Sequence, residues 1–402
     1  MTTPPSLSSK KEGNLLSNSS ISHEDRLILI CARTWSTPEE IEGALRPGLD
    51  WEHITEKAAQ NRVAPILFHN LEKVSFDSVP PEVVESLRIK YFATAKRNLL
   101  ASYELSNLLK ALLDAHIKAI VLKGMAMAET VYRDTVPRPF SDIDLLIRGE
   151  DKRKTEAKLS MLGYELSHDS HAKFAEQFRV ALMYVNGDKT PIDLHWRLIG
   201  LPYSRYIDAD SLWISACPLS IEGVETLALP PEDLLIHLCL HVSKENYTQL
   251  LWLLDISEVI HYYSETLNWE LILEKAEQYR IRLLMHRVLS LVDRLFAPPI
   301  PDFALGRLTS HGSLSFEEKL FGALGNPYAT TLNRIGISRF LKLYGTDSKV
   351  KNMLGELFPD RDYMLKRYPG VDTKSSYCLR AWDALRAAMW VVVESLRTYK
   401  EE

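Results

Sequence analysis

The chain has 402 residues, 46% of them hydrophobic and 25% charged, with a formal net charge of −5. That length exceeds one ordinary core and implies two or three folding units of soluble globular composition. The near balance of charge gives no footing for a long nucleic acid as partner. Four scattered cysteines (Cys31, Cys217, Cys239, Cys378) exclude a disulfide framework and fit a cytoplasmic location. No apolar run reaches the roughly 18 residues of a membrane span.

Residues 1–21 are rich in Ser and Thr, lack the apolar stretch of a signal peptide, and read as a disordered tail. A helical region is expected over 22–116. Thr37-Pro38-Glu39-Glu40 is an N-cap signature, with Pro at the first helical position and acids in the first turn. Pro80-Pro81 opens a long helix whose apolar positions include Leu99, Leu100, Tyr103, Leu105, Leu108, Leu109, Leu112 and Leu113.

An α/β core is expected over 117–229. Ala119 to Leu122 is a short β-type run, and Met125 to Arg133 reads as a helix. Val136-Pro137-Arg138-Pro139 must be a loop, because proline cannot sit in a helix interior. Ile143 to Ile147 reads as a strand, and Glu150 to Leu162 as a helix ended by Gly163. Val180 to Val185 and Pro191 to Trp196 flank Asn186-Gly187-Asp188, a hairpin turn.

Helices return over 230–300, and a mostly helical region is expected over 301–402. It has loops at Leu357-Phe358-Pro359 and Tyr368-Pro369-Gly370 and a final helix from about Tyr377 to Tyr399. Residues 49–71 resemble residues 267–289 without gaps. Leu, Trp, Glu, Ile, Glu-Lys-Ala, Gln, Arg and a final Leu coincide. One helical unit is therefore expected twice, once on each side of the α/β core. The fold class is α+β, a small mixed-sheet core between N- and C-terminal helical regions.

The chemistry concentrates in Ser141-Asp142-Ile143-Asp144-Leu145-Leu146-Ile147. Aspartates at i and i+2 on a strand project from one face. Phosphoryl transfer to a hydroxyl is served by two divalent cations held by such carboxylates. Asp193, on the second hairpin strand, is placed to be the third. Asp-x-Asp alone is unspecific: Asp208/Asp210 and Asp360/Asp362 repeat it in loop contexts and read as solvated turns. Upstream, Lys123-Gly124 ends a strand and opens a helix, where a glycine lets backbone N–H groups approach a phosphate and Lys123 adds charge. Arg138 is expected either to bind phosphate or to order its loop.

This series of motifs resembles the uncharacterised nucleotidyltransferase family of the polymerase-β-like superfamily. It runs from Leu122-Lys123-Gly124, Arg133 and Arg138 through Ser141 to Leu146 and Gly163-Tyr164 to Ile192-Asp193-Leu194-His195-Trp196. The likeness covers about residues 25–300 and takes in Asp50-Trp51, Leu235 to His241 and Trp252 to Ile256. It implies Mg²⁺ (or Mn²⁺) and an NTP donor, with Asp142, Asp144 and Asp193 as catalytic and metal-binding residues. Lys123, Gly124, Arg138 and Ser141 become nucleotide-binding candidates, joined by Lys244 and Asp255 by analogy with toxin-type relatives. The wider superfamily carries a hydroxyl in the turn after the first strand, whereas Lys123-Gly124-Met125 has none.

His237-Leu238-Cys239-Leu240-His241 has the spacing of half a zinc site but no third ligand, so helix packing is the favoured reading. His195 is expected on the strand face opposite Asp193. Trp196, Trp213 and Trp252 are candidates for base stacking. The expected activity moves an NMP from NTP to a hydroxyl acceptor (a small molecule, a protein or a tRNA end) with release of pyrophosphate. The alternative is a catalytically weak nucleotide-binding or regulatory partner protein of a toxin–antitoxin or biosynthetic cluster.

Overall fold

The computed structural model describes residues 21–133, 137–167, 180–200, 203–245 and 247–310, with a few positions between 318 and 382. The tail, Asp360/Asp362, the loops after Leu357 and most of the final helix lie outside the described residues.

Five helices come first: α1 (His23–Ala32), α2 (Pro38–Ala44), α3 (Trp51–Gln60), α4 (Ala64–Leu71) and α5 (Pro81–Leu113). Thr37 caps α2 through a full capping box, its hydroxyl accepting from the Glu40 N–H while the Glu40 carboxylate accepts from the Thr37 N–H. Pro81 starts α5, whose 33 residues span about 50 Å. The apolar stripe expected on α5 is only half buried. Leu105, Leu108, Leu109 and Leu112 enter the core, while Leu99, Leu100, Tyr103 and Leu113 are exposed. The reason is positional: α5 leans on α4 in its first half and on the sheet and α7 in its second, and no single surface covers its whole length.

The sheet is built from β1 (Ala119–Val121), β2 (Ile143–Ile147), β3 (Glu165–Leu166), β4 (Ala181–Val185), β5 (Ile192–His195), β6 (Cys217–Ile221) and β7 (Val224–Ala228). Its order is β3-β4-β5-β2-β1-β7-β6. β2 runs parallel to β5 and β1 parallel to β7, and the other pairs are antiparallel. This mixed sheet with its flanking helices is the expected α+β architecture. Helices α6 (Lys123–Met127), α7 (Lys152–Met161) and α8 (Ala209–Ser215) connect the strands, and α6 continues into a π-helical turn over Ala128–Tyr132. The β6–β7 hairpin was not anticipated. It closes on Glu222-Gly223, both with positive φ, a turn that matches strand twist.

After the sheet come α9 (Pro231–Lys244), α10 (Leu250–Tyr262), α11 (Trp269–Gln278), α12 (Arg282–Phe296) and α13 (Asp302–Ser310). The helices before and after the sheet share one hydrophobic core. Leu27 and Ile28 of α1, Leu67 of α4, Leu254 of α10 and Leu289 of α12 all belong to it. A second core holds Ile143, Leu145, Ile147, Ile192 and Leu194 beneath the end of α5. Leu146 faces the first core. The two-residue strand period therefore turns Asp144 and Leu146 toward the helical layer, and Ile143, Leu145 and Ile147 away from it.

The sequence repeat is a structural repeat. Asp50 caps α3 by accepting from the His53 N–H at 3.0 Å, and Asn268 caps α11 by accepting from the Leu271 N–H at 3.1 Å. Both first helices have ten residues. Each is followed by an arginine in the left-handed region, Arg62 at φ 60° and Arg280 at φ 57°, before the second helix begins.

Candidate functional site

The register of two parallel strands builds the centre. Asp144 of β2 lies directly opposite Asp193 of β5, and Leu146 opposite His195. Neighbouring strands are about 4.8 Å apart, so two carboxylates at matched positions on one face must meet. His195 is two residues beyond Asp193 and therefore shares its face. This corrects the expectation that it points away, because side chains two residues apart on a strand share a face. Its Nε2 lies 3.1 Å from Asp144 Oδ1 and 3.1 Å from Asp193 Oδ2.

Lys123 completes the cluster. It opens α6 with a left-handed φ of 37°, and its Nζ reaches Asp144 Oδ1 at 2.8 Å. The adjoining Leu122 N–H donates to the Asp144 carbonyl at 2.9 Å, which ties the end of β1 to β2. Burial works to raise the Asp144 carboxyl, yet the charges of Lys123 and His195 hold it well below the usual carboxylate range. Burial likewise opposes charge on Lys123 and on His195, and the facing carboxylates raise both above their ordinary values.

Asp142 precedes β2 and stands beside this cluster. Its carboxylate accepts from the Ser141 hydroxyl at 3.0 Å. Burial, and then the charge of Asp144, push it above its usual range. The metal-capable grouping among the described residues is Asp144, Asp193 and His195, whose ligand atoms all lie within 4.8 Å of one another. Two carboxylate oxygens and an imidazole nitrogen at that separation fit one divalent ion. The nitrogen suits Mn²⁺ better than Mg²⁺, which favours all-oxygen shells.

Gly124 is required for close approach. A Cβ there would stand 2.9 Å from Phe140 Cβ and 3.1 Å from Arg138 Nη1. What presses on it is the loop leading to Asp142. Arg138 is buried in that loop. Its Nε donates to Asp255 Oδ1 at 2.8 Å, its Nη2 donates to Asp255 Oδ2, and its Nη1 donates to the Pro139 carbonyl at 3.1 Å. The Tyr132 hydroxyl also donates to Asp255, at 3.0 Å. Asp255 of α10 therefore locks the loop from the helical layer, and the two residues predicted separately are partners.

Lys244 ends α9 with its side chain 62% exposed, paired with Glu245 at 3.3 Å. The structure does not bring it into the cluster. His237 of the same helix is buried, with neither ring nitrogen hydrogen-bonded among the described residues. Burial, followed by the charge of Lys123, keeps it neutral by lowering it well below the ordinary imidazole range. The metal-capable grouping includes neither His237, Cys239 nor His241, in keeping with helix packing. Asp208 caps α8 by accepting from the Asp210 N–H at 3.0 Å, as a turn residue does. Of the three tryptophans, Trp196 lies under Lys152, Trp213 under Arg148, and Trp252 edge-on to His241.

Facing carboxylates on parallel strands, flanked by buried cations and a strand-to-helix lysine turn, are the outline of a phosphoryl-transfer centre. The model of the uncharacterised nucleotidyltransferase family matches residues 47–297, more than half of the chain, and the protein belongs to that family. No curated protein and no solved structure gives a significant match. Among the described residues no helix is long and apolar enough to cross a membrane.

Proposed function

We propose that this protein is a metal-dependent nucleotidyltransferase that moves a nucleoside monophosphate from an NTP to a hydroxyl acceptor and releases pyrophosphate. The observation that carries this reading is the Asp144–Asp193 register across parallel strands, with Lys123 on the same carboxylate. In this reading Asp144 and Asp193 hold the metal, with Asp142 as a further oxygen ligand and His195 as a nitrogen ligand. Mg²⁺ or Mn²⁺ supplies neutralisation of the charge developing on the phosphate oxygens. The acceptor oxygen forms a bond to the α-phosphorus, the bond to the β-phosphate bridging oxygen breaks, and pyrophosphate carries away that electron pair. Asp193, a quarter exposed at its side chain, takes the acceptor proton.

Lys123 has two partners to serve. Its ammonium sits on Asp144 in the structure, and release from that carboxylate frees it for the triphosphate. Ser141, beside Asp142, and the Gly124 backbone are assigned to the phosphates in the same reading. Arg138 and Asp255 act on the nucleotide through the loop they fix in place, and Lys244, outside the cluster, has no part in this reading. The acceptor is a small molecule, a protein or a tRNA end.

One observation favours the second reading, a nucleotide-binding or regulatory protein with little turnover. Lys123 and His195 neutralise the carboxylates from within the chain, so charge repulsion does not by itself demand a metal. Calorimetric titration of ATP, GTP, CTP and UTP in Mn²⁺ or Mg²⁺ tests the proposal. Binding of at least one NTP should require the metal and be weakened by Asp144→Asn. Metal-independent binding unaffected by that variant supports the second reading.

A further inference from the structure

We propose that Arg62, on the turn between α3 and α4, contacts the triphosphate of the donor, delivered to the acidic centre by the first copy of the repeated helix pair. The proposal rests on the nucleotidyltransferase reading and deepens it by naming a phosphate ligand outside the sheet.

Hydrogen bonds fix where this turn lies. Asn61 Oδ1 accepts from the Leu250 N–H at 3.1 Å, and the Asn61 carbonyl accepts from the Leu251 N–H at 3.3 Å. The turn is thereby held on the first turn of α10. Asp255, on the same helix, grips Arg138. From α5, Asn98 Nδ2 donates to the Arg138 carbonyl at 2.9 Å. The α3–α4 turn, α10 and α5 thus converge on the loop that leads to Ser141 and Asp142, where Arg62 of the turn and Arg97 of α5 join the loop's own Arg138.

The Asp255 carboxylate is taken up by Arg138 and Tyr132. Arg62 is part-buried, and it has no hydrogen bond or ion pair from its side chain among the described residues. Burial foremost, then the Arg138 guanidinium with Arg97, press its own guanidinium below the usual arginine range, while Asp142 and Asp255 oppose them. A guanidinium partly withdrawn from water and set beside two others calls for an anion. A triphosphate supplies several negative charges and the oxygen geometry that arginine binds in bidentate fashion.

The repeat provides an internal comparison. Arg280 occupies the same turn position with the same left-handed backbone, and its guanidinium stacks over Tyr206 at 5.0 Å. The turn therefore holds an arginine in both copies; the second lies over Tyr206, and the first stands within the fields of Asp142 and Asp255. The chemistry also leaves a gap for it. The Lys123-Gly124-Met125 turn offers no hydroxyl, and Lys123 is engaged by Asp144. A triphosphate needs donors beyond Lys123, and the Arg62 turn is held on the helix that grips the Asp142 loop.

Calorimetric titration with inorganic tripolyphosphate in Mg²⁺ tests this. Arg62→Gly suits the left-handed φ and keeps the turn, and Arg62→Lys keeps the charge without the bidentate geometry. The expected result is a Kd raised at least tenfold in Arg62→Gly, a smaller rise in Arg62→Lys, and no change in Arg280→Gly. Equal affinity in wild type and Arg62→Gly overturns the inference and leaves the nucleotidyltransferase reading standing. Equal losses in Arg62→Gly and Arg280→Gly also overturn it, because the effect then belongs to the helix pair and not to phosphate contact. If the wild type binds neither tripolyphosphate nor any NTP, both fail together.

Discussion

Asparagine in place of Asp255 strips a buried guanidinium of its counter-charge while hardly changing shape. Arg138 is 4% exposed and Asp255 fully buried, so water cannot take over the lost interaction. Arg138 makes two hydrogen bonds to that carboxylate and Tyr132 makes a third. Breaking a buried pair by removing one partner costs about 3–5 kcal/mol, because the other charge stays behind unpaired. An asparagine carbonyl retains one acceptor, which sets the expected loss near the lower figure. Burial opposes the charge on Arg138, and Asp255 holds it above the ordinary arginine range, so the guanidinium does not escape by losing its proton. Urea denaturation followed by tryptophan fluorescence at neutral pH should show the loss. Arg138→Met/Asp255→Leu, which removes both charges, should recover most of it. A single variant within about 1 kcal/mol of wild type would refute the claim that this pair locks the loop.

Two further outcomes follow from named contacts. Gly124→Ala introduces a Cβ 2.9 Å from Phe140 Cβ, so it should destabilise by about 1–3 kcal/mol through overpacking. A helical glycine free of neighbours would instead gain about 1 kcal/mol on that change, so the sign of the shift in a denaturation midpoint decides. Glu258, buried on α10, accepts from the Thr34 N–H at 2.8 Å, and burial pushes its carboxyl up from 4.5 to about 7. The folded state then holds a proton that the unfolded state has lost, so this group's contribution to stability declines as pH rises from 4.5 through about 7. The full change is on the order of 3 kcal/mol. Glu258→Gln should remove that decline, so the variant gains on wild type across the window. Parallel stability curves from pH 4.5 to 7.5 would contradict the burial argument.

Local rules carried the sequence reading furthest where one strand or one turn decides the outcome. The Ile143–Ile147 strand, the Asn186-Gly187 hairpin and the Thr37 N-cap depend on neighbours in the chain, and each forms as expected. The helix pair was legible twice over, because its N-caps and its left-handed arginine recur at the same spacing. His195 stands on the Asp193 face, as the two-residue period of Ile192-Asp193-Leu194-His195 requires. The partnership of Arg138 with Asp255 had no local signal, since 117 residues separate them and only the packing of α10 against the π-helical turn after α6 brings them together. Arg62 has no local signal either, because its company is set by where α10 and α5 return. The exposed half of the α5 stripe shows the reverse limit, because apolar spacing cannot say where a long helix runs out of partner.

Transfer of label from α-labelled NTPs tests the central claim most directly. Each NTP, with Mg²⁺ or Mn²⁺, is incubated with an extract of small molecules, proteins and RNA, using wild type and Asp144→Asn side by side. The account predicts that the wild type moves label into one acceptor class only when metal is present, that pyrophosphate appears in equal amount, and that Asp144→Asn loses the transfer. Equal labelling by the two proteins, or none by wild type with any NTP, contradicts it.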